Sequence, residues 1–475
     1  MSPVADQYFG KNLSKYCHRQ WTKKNPAETT GMRYKNVNLV TRTQKWMGSV
    51  GCFGQIENIK RQFLEYFCVM SRIKDYLMDI EEGRIVPGEL QDKCVCANHF
   101  YDKELREKIN YEGHKGRCSY CGKRKIVMDM PDFVKMVRDK LESEFEDVDN
   151  AMLPLERTVF DDDEDVVPSF TRFHGYAAPS NSLMYDNTEE VIIELLDIAD
   201  SEALLNDVLG ALPDHGWISK DPFVATLNDE LNIKWKHFSE MVKHKQRFTF
   251  LANKEFNGHP SEYDNGLFDI LTELGSMIQQ FELCKGISND TVIYRARLIE
   301  NDTSLAFDEI TSPPDNWARQ NRMSPAGVSM FYGAFDAETA RKECTPQSNH
   351  DGKGRFLIGM FTQKKTLHLI DLTALPMPSF WHQKRDTREA LAFMHIFHNE
   401  ITKRIRPDDS IHTEYVPSQV FTEYLRFIFK LEGEIDVDGL IYKSSVNDSK
   451  CVVVFCNQKE SSDYLELVKV EDIMF

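Results

Sequence analysis

The stretch from residue 291 to 343 constrains the fold most, because a strand pattern with two arginines is followed by a turn, a second strand and a short helix. Apolar residues alternate over 291–298, which predicts a half-buried strand. Arg295 and Arg297 share one face of this strand with Ile293. Two arginines on one face need anions or water as partners, so the strand is predicted to face solvent or a bound anion. The other face carries Val292, Tyr294, Ala296 and Leu298.

The second half of the stretch adds a tyrosine and a carboxylate. Arg319 and Arg322 precede a Ser-Pro-Ala-Gly turn, and the strand-like segment VSMFYGAF follows. Asp336 is expected to cap the short helix that comes next. Glu343 falls near the end of that helix, eleven positions after Tyr332. Strand, turn, strand and helix are thus predicted to bring arginines, a tyrosine and one carboxylate around one cleft.

The charge balance makes these arginines more informative. The chain has 58 Lys and Arg against 75 Asp and Glu, a formal net charge of −17. Proteins that bind nucleic acid need a basic face for the phosphates. Because the net charge here is strongly negative, general nucleic-acid affinity is not expected. A local group of cations in such a chain indicates either a solvated surface patch or an anion site. The group consists of Arg295, Arg297, Arg319 and Arg322.

Length and patterning set the broad class. At 475 residues the chain should hold two to four domains, and 41% hydrophobic with 28% charged residues is an ordinary soluble composition. No run approaches 18 apolar residues, so a membrane span is not expected. The N-terminus lacks the apolar core of a signal peptide, which favours a cytoplasmic protein.

A cluster of cysteines with one histidine is the second strong signal. The spacings Cys96-x2-His99 and Cys118-x2-Cys121 form two short loops that can direct four ligands to one tetrahedral ion. Eleven cysteines in a reducing compartment favour metal ligation over disulfides. We predict a structural Zn2+ at these four residues, with Cys94 open as a substitute for Cys96 or His99. The alternative is a chance cluster of reduced thiols.

The chain is predicted to be α+β, with a mostly helical N-terminal region, a zinc-knuckle element and a mixed α/β C-terminal domain. Helical spacing over 54–83, an acidic linker run at 161–165 and a helix capped by Thr188 precede a change to short strands near residue 286. Four segments follow from this pattern: 1–88, a helical extension; 89–130, a zinc-binding element; 131–285, a helical regulatory domain; and 286–475, a catalytic domain.

Two hairpins are predicted in the C-terminal domain. The strands RFLIGMFT and TLHLIDL are joined by Gln363-Lys364-Lys365, which favours a hairpin. The strands DGLIYKSS and CVVVFCN are joined by a turn at 446–449 and form the second, closing hairpin.

Several motifs taken in order resemble the RES domain family over roughly residues 288–460. They are the Tyr-Arg pair of the first strand, N-R-M-S-P-A-G, Y-x10-E and V-P-S. The family often has G-G-R-W in the turn, whereas this chain reads Q-N-R-M, which keeps the arginine and weakens any role for a neighbouring aromatic ring. The resemblance implies a fold related to ADP-ribosyltransferases and NAD+ degradation by a toxin. The matching residues are Arg295, Arg322, Tyr332, Glu343 and Ser418.

The middle of the chain, with the cysteine knuckles before it, resembles the N-terminal domain that precedes some RES and HEPN effector domains. This likeness implies a sensing or regulatory module, to which a trigger or inhibitor protein would bind. Homo-oligomerisation is a further expectation.

The chemistry of NAD+ cleavage gives each matching residue a role. Nicotinamide leaves as a neutral group, so the enzyme must mainly stabilise a cationic ribosyl centre and fix the substrate. Glu343 is the carboxylate for the first task. Arg295, helped by Arg322, suits the pyrophosphate, because the guanidinium fork matches two phosphate oxygens. Tyr332 would pack against nicotinamide, and Ser418 would hydrogen-bond the ribose or carboxamide.

The sequence therefore predicts a cytoplasmic NAD+ glycohydrolase of a toxin or antiviral defence type. Two alternatives remain: transfer of ADP-ribose to a macromolecule, and an inactive zinc-containing interaction protein. A HEPN ribonuclease is disfavoured, because Arg388-x6-His395 is a single loose motif inside the RES-like region. No G-x-G-x-x-G follows a strand, so no Rossmann-type dinucleotide site is indicated.

Overall fold

The computed structural model describes most of the chain from residue 86 to residue 474, in the ranges given below. The described residues from Met78 onward belong to one compact unit, Leu77–Phe475. Apart from Lys74 and Met78, which are helical, the predicted helix over 54–83 lies outside the described residues, as does the acidic run at 161–165. The described residues are 74, 78, 86–151, 184–199, 201–220, 225–248, 269–288, 290–299, 307–345, 354–403, 405 and 411–474.

A small sheet surrounds the predicted knuckles. Its central strand, β3, pairs antiparallel with both β1 and β2. Asp102 caps the first helix by accepting a hydrogen bond from the Leu105 N–H. The elements are β1 (Cys94–Val95), α1 (Lys103–Glu112), β2 (His114–Arg117), β3 (Arg124–Asp129) and α2 (Met130–Glu144).

A second small sheet and two helices complete the N-terminal core. They are β4 (Phe145–Asp147), α3 (Val148–Ala151), β5 (Met184–Tyr185), α4 (Thr188–Leu196), α5 (Glu202–Leu209) and β6 (Trp217–Ser219). Asn187, not Thr188, caps α4 by accepting the Glu190 N–H. Thr188 is buried instead, and its hydroxyl donates to the Pro213 carbonyl.

Two further helices, α6 (Leu227–His244) and α7 (Asp269–Gln280), pack with the C-terminal core. Trp235 and Phe238 of α6 are buried in the same cluster as Phe397 and Phe421. A capping box between Thr226 and Asp229 fixes the start of α6. The packing therefore groups these helices with the C-terminal sheet, although the predicted boundary at 285 assigns them to the regulatory domain.

The C-terminal part is built on a mixed sheet of eight strands in the order β14-β10-β8-β9-β13-β12-β11-β7. Its neighbours run antiparallel except β11 and β12, which are parallel. This arrangement confirms the predicted α+β class. The elements are β7 (Cys284–Ile287), β8 (Ile293–Ile299), α8 (Phe307–Ile310), β9 (Phe331–Ala334), α9 (Ala337–Cys344), β10 (Arg355–Gln363), β11 (Leu367–Asp371), α10 (Arg385–Thr402), α11 (Ile411–Glu414), α12 (Val416–Phe427), β12 (Gly439–Lys443), β13 (Lys450–Val454), α13 (Gln458–Tyr464) and β14 (Leu465–Met474).

One of the two predicted hairpins is wrong. β10 and β11 are consecutive strands joined by a short turn, but β10 pairs with β8 and β14, and β11 pairs with β12 and β7. Local turn chemistry could not reveal this, because the partners lie far away in the sequence. The closing hairpin is confirmed, since β12 and β13 pair antiparallel.

Helix α10 joins the two parts of the compact unit. Trp381, just before this helix, is buried in the N-terminal cluster, and its indole N–H donates to the Leu195 carbonyl at 2.8 Å. Further along the helix, Phe397 is fully buried against the C-terminal sheet. The segment just before the helix therefore packs in the N-terminal core, and the helix itself packs in the C-terminal core.

Candidate functional site

A cleft of about 460 Å³ opens at the junction of β8 and β9. The two strands pair at Tyr294 and Ala334, and Gly333 lies beside that position. A Cβ atom on Gly333 would lie 2.5 Å from the Ile293 side chain and 2.9 Å from the Tyr294 carbonyl oxygen. Only glycine allows this close approach of the two strands. Four of the five predicted site residues line the cleft: Arg295, Arg322, Tyr332 and Glu343.

Arg295 is held inside the wall of the cleft. Its Nη1 donates to the Tyr332 carbonyl oxygen at 2.7 Å, and its guanidinium lies 5.4 Å from the centre of the Phe331 ring. Burial lowers the pKa of Arg295 to about 10, so the side chain remains a cation at neutral pH. The result is a positive charge in a partly desolvated position.

Arg322 is anchored at the C-terminal end of α10. Its Nη1 donates to the carbonyl oxygens of Ile401, at 2.9 Å, and Lys403, and its guanidinium stacks 5.4 Å from the Tyr415 ring centre. Carbonyl oxygens at a helix C-terminus carry partial negative charge, which suits a cation. Among the described residues, neither Arg322 nor Arg295 has a carboxylate partner.

Tyr332 presents its ring to the cleft and its hydroxyl to the turn before β9. The hydroxyl lies 2.9 Å from the Ser324 Oγ, and burial raises the pKa of the phenol. The tyrosine therefore stays neutral at physiological pH. Ser324 is buried and was not identified from the sequence, although it belongs to the Ser-Pro-Ala-Gly turn that pointed to this region.

Glu343 lies in the last turn of α9, as predicted, and its side chain reaches the closing hairpin. Its Oε1 accepts a hydrogen bond from the Ser444 hydroxyl, and the Cys451 Sγ lies 3.8 Å away. Asp336 caps the helix by accepting the Thr339 N–H, also as predicted. The residue itself is exposed in the cleft, so the carboxylate is both oriented and accessible.

Ser418 lies behind the cleft rather than in its lining. The residue is buried, and its hydroxyl donates to the Arg322 carbonyl at 2.6 Å and to the Tyr415 carbonyl at 2.9 Å. Gln419 adds a bond from its side-chain amide to the Asn321 carbonyl at 2.9 Å. The start of α12 therefore fixes the loop that carries Arg322. The direct contact of Ser418 with a substrate stays a prediction.

The two other arginines of the predicted cationic group lie outside the cleft lining. Arg297 is exposed and forms an ion pair with Glu309 at 2.8 Å. Arg319 is exposed at the surface. The solvated-patch interpretation therefore holds for these two residues.

The four predicted zinc ligands come together. One ligand atom from each of Cys96, His99, Cys118 and Cys121 lies within 4.8 Å of the others. The Cys118 Sγ is 3.3 Å from the His99 Nε2, and the Cys96 Sγ is 3.7 Å from the Cys121 Sγ. Burial lowers the pKa of His99, which keeps its imidazole in the neutral, ligating form. Cys94 is not part of this quartet.

The comparisons with known families agree with both resemblances. Residues 292–472 match the RES domain, and residues 111–256 match HEPN/RES N-terminal domain 1. The chain therefore carries a segment that matches the RES domain, preceded by a segment that matches a HEPN/RES N-terminal domain, and this pair fits a toxin-like effector linked to NAD+. No curated protein and no solved structure matches the chain. None of the helices in the described part of the chain is both long and apolar enough to cross a bilayer.

Proposed function

We propose that this protein is an NAD+ glycohydrolase that cleaves the nicotinamide–ribose bond and so depletes cellular NAD+. One observation carries the proposal: the RES-domain match falls on a cleft that combines two arginines lacking carboxylate partners among the described residues with one oriented carboxylate. The setting is the cytoplasm, and the fold is of the ADP-ribosyltransferase-like kind that the family resemblance implies.

Glu343 supplies the catalytic charge in this proposal. Cleavage produces a cationic ribosyl centre, and a carboxylate next to it stabilises that charge without needing to donate a proton. The hydrogen bond from Ser444 holds the carboxylate in one orientation. A group already oriented before the reaction lowers the barrier more than one that must reorganise. Ser444 is therefore a positioning residue for Glu343.

Arg295 and Arg322 bind the pyrophosphate in this proposal. Each uses Nη1 on backbone carbonyls, so the rest of each guanidinium fork is available for phosphate oxygens. The Tyr332 ring lies beside them as a surface for nicotinamide. Ser418 acts by holding the Arg322 loop, in addition to any contact with ribose or carboxamide.

Incubation of purified protein with NAD+, followed by identification of the products, tests this function. Free nicotinamide with free ADP-ribose is expected. ADP-ribose attached to protein or nucleic acid would instead support the alternative of a transferase that uses the same cleft. No turnover by correctly folded protein, with or without candidate trigger molecules, would contradict both and favour an inactive interaction protein.

The N-terminal domain is proposed to regulate the cleft through α10. Arg388, in the first turn of this helix, donates to the Glu144 carboxylate of α2 at 3.0 Å. At the other end of α10, the carbonyl oxygen of Ile401 accepts from Arg322. The helix spans 18 residues, or about 27 Å at 1.5 Å per residue. A trigger or inhibitor protein bound to the N-terminal domain would thus act on a helix that holds a cleft arginine. Homo-oligomerisation stays a prediction.

The cysteine quartet is proposed to bind one structural Zn2+. Three thiols and a neutral imidazole form a closed tetrahedral set, and burial raises the pKa of Cys96 to about 11, so a cation is needed to hold the thiolate form. Because binding and folding are coupled in such sites, Cys118→Ser should unfold the N-terminal domain. We expect loss of the zinc that the quartet binds and a lost near-UV signal. A metal-free protein of unchanged melting temperature would contradict the assignment.

A further inference from the structure

A second group of metal-ligating side chains lies on the small N-terminal sheet. β1 and β3 pair so that Cys94 stands directly opposite Asp129. β2 pairs with β3 so that His114 stands opposite Val127, two residues before Asp129. Residues two apart on a strand share a face, so the three side chains project from the same side of the sheet. None of them belongs to the quartet of Cys96, His99, Cys118 and Cys121.

Two of the three separations between the ligand atoms are already close to those that one bound ion requires. The three atoms lie within 4.8 Å of one another. The Cys94 Sγ is 3.2 Å from the Asp129 Oδ1, and the His114 Nε2 is 3.8 Å from the same oxygen. Ligand bonds of 2.0–2.3 Å at tetrahedral angles place neighbouring ligand atoms about 3.3–3.7 Å apart. The observed distances bracket that range.

The composition of the group selects the class of ion. A thiol, an imidazole and a carboxylate together suit zinc and its borderline-soft neighbours rather than magnesium or calcium, which prefer oxygen. Metal binding would convert the thiol to a thiolate and release its proton to solvent. The alternative is that these three side chains only hydrogen-bond one another. Hydrogen bonding alone would explain the contacts, but it would not require a thiol, an imidazole and a carboxylate on one face of the sheet.

The group borders an open space. His114 and Asp129 line a cleft of about 600 Å³ between the sheet and α2, together with Asp132 and Glu112. The side chains of His114 and Asp129 are 55% and 49% exposed, so an ion there would be reached from solvent. Three protein ligands leave a fourth tetrahedral position, which distinguishes a site that binds water or an exogenous ligand from a closed structural site.

We propose that Cys94, His114 and Asp129 form a second metal site, which binds one divalent ion of the zinc class and keeps a coordination position open toward the α2 cleft. The N-terminal domain would then hold two ions of different kinds, one buried and structural and the other accessible. An accessible site on this domain would let a small anionic ligand or a donor side chain of a partner bind directly to the ion.

Metal content of the full-length protein tests the proposal. Protein purified from zinc-supplemented cells should hold two zinc ions per chain, and Asp129→Asn should hold one while keeping the wild-type melting profile. Asp129 precedes α2 but makes no cap hydrogen bond to it, so the amide should be tolerated. Asp132→Asn, a change of the same chemistry in the same cleft, is the control and should keep two ions.

Cobalt substitution provides the second measurement. Cys94→Ser should lose the thiolate-to-cobalt absorption of one site and keep that of the quartet. One ion per chain in the wild type would overturn the proposal, as would two ions in folded Asp129→Asn. Equal loss in Asp132→Asn would also overturn it, because the effect would then come from the general charge of the cleft.

Discussion

The two arginines of the cleft, Arg295 and Arg322, and Arg388 of α10 lie in opposite electrostatic surroundings. Arg295 and Arg322 line the cleft, and their identified hydrogen bonds go to backbone carbonyls. Arg388, in the first turn of α10, lies 3.0 Å from the Glu144 carboxylate and 3.4 Å from that of Glu389. In a chain with 75 acidic residues, carboxylates were available for both groups. An arginine that is neutralised within the fold supports structure, whereas one left with a free charge in a cleft is available to a ligand.

The comparison also bears on the ribonuclease alternative. Arg388 is held by Glu144, and the His395 Nε2 donates to the Pro376 carbonyl at 2.8 Å. Both polar groups therefore have structural partners. The loose motif that contains them is better explained by the contact between α10 and the N-terminal domain than by a nuclease site.

The largest effect is expected when Glu144, the carboxylate that pairs with Arg388, loses its charge. Glu144 is only 4% exposed and accepts from Lys140 at 2.5 Å and Arg388 at 3.0 Å. Glu144→Gln leaves two partly buried cations without their main counter-ion, which should cost about 3 kcal/mol of unfolding free energy. Chemical denaturation measures this loss, and Glu142→Gln on the exposed face of the same helix is the control. NAD+ turnover should also change if α10 carries regulation. Unchanged stability would mean that the cluster is solvated and weak.

The next effect tests the carboxylate of the cleft. Glu343→Gln keeps the shape of the side chain and removes its charge, so kcat for NAD+ cleavage should fall at least about 100-fold, while KM changes little. Glu338→Gln, in the first turn of the same helix and outside the cleft lining, should leave kcat near the wild-type value. Near-normal turnover by folded Glu343→Gln would show that the active site is assigned wrongly.

A smaller effect is expected for the arginine fork. In Arg295→Lys, an ammonium can still donate to the Tyr332 carbonyl but cannot bind two phosphate oxygens in one plane. Loss of one charge-assisted hydrogen bond, about 1.5–3 kcal/mol, should lower kcat/KM by roughly 10–150-fold. Arg297→Lys is the matched control, because its partner Glu309 is exposed and such pairs contribute less than about 1 kcal/mol. Equal effects of both substitutions would remove the distinction between paired and unpaired arginines.

Local patterns predicted much of the site and less of the sheet. The Asp336 cap and the place of Glu343 on its helix depend on spacings of a few residues, and the cysteine quartet was predicted from two C-x2-H or C-x2-C pairs that lie 18 residues apart. The hairpin of β10 and β11 was predicted wrongly, because four other strands lie between them in the sheet. Ser444 was missed for the same reason. Its contact with Glu343 spans 101 positions and requires knowing that the closing hairpin lies next to β9.

The smallest effect concerns the helix that links the two arginine groups. His398 of α10 is 6% exposed, and its Nε2 accepts the Lys443 N–H at 3.4 Å. Burial, followed by nearby His395 and Lys443, lowers the pKa of His398 to about 4, against an opposing influence of Asp371. Between about pH 6.5 and 4 the unfolded chain binds a proton that the folded chain excludes, so the contribution of His398 to stability is complete above about pH 6.5 and falls as the pH drops. The loss approaches about 1.4 kcal/mol per pH unit.

Because carboxylates also titrate in this range, the informative quantity is the difference in unfolding free energy between wild type and His398→Gln at each pH. That difference should favour the wild type most at pH 7 and shrink toward pH 5. A constant difference would mean that His398 binds a proton equally in the folded and unfolded states. Acid would then not act through His398 on α10, the helix that connects Arg388 with Arg322.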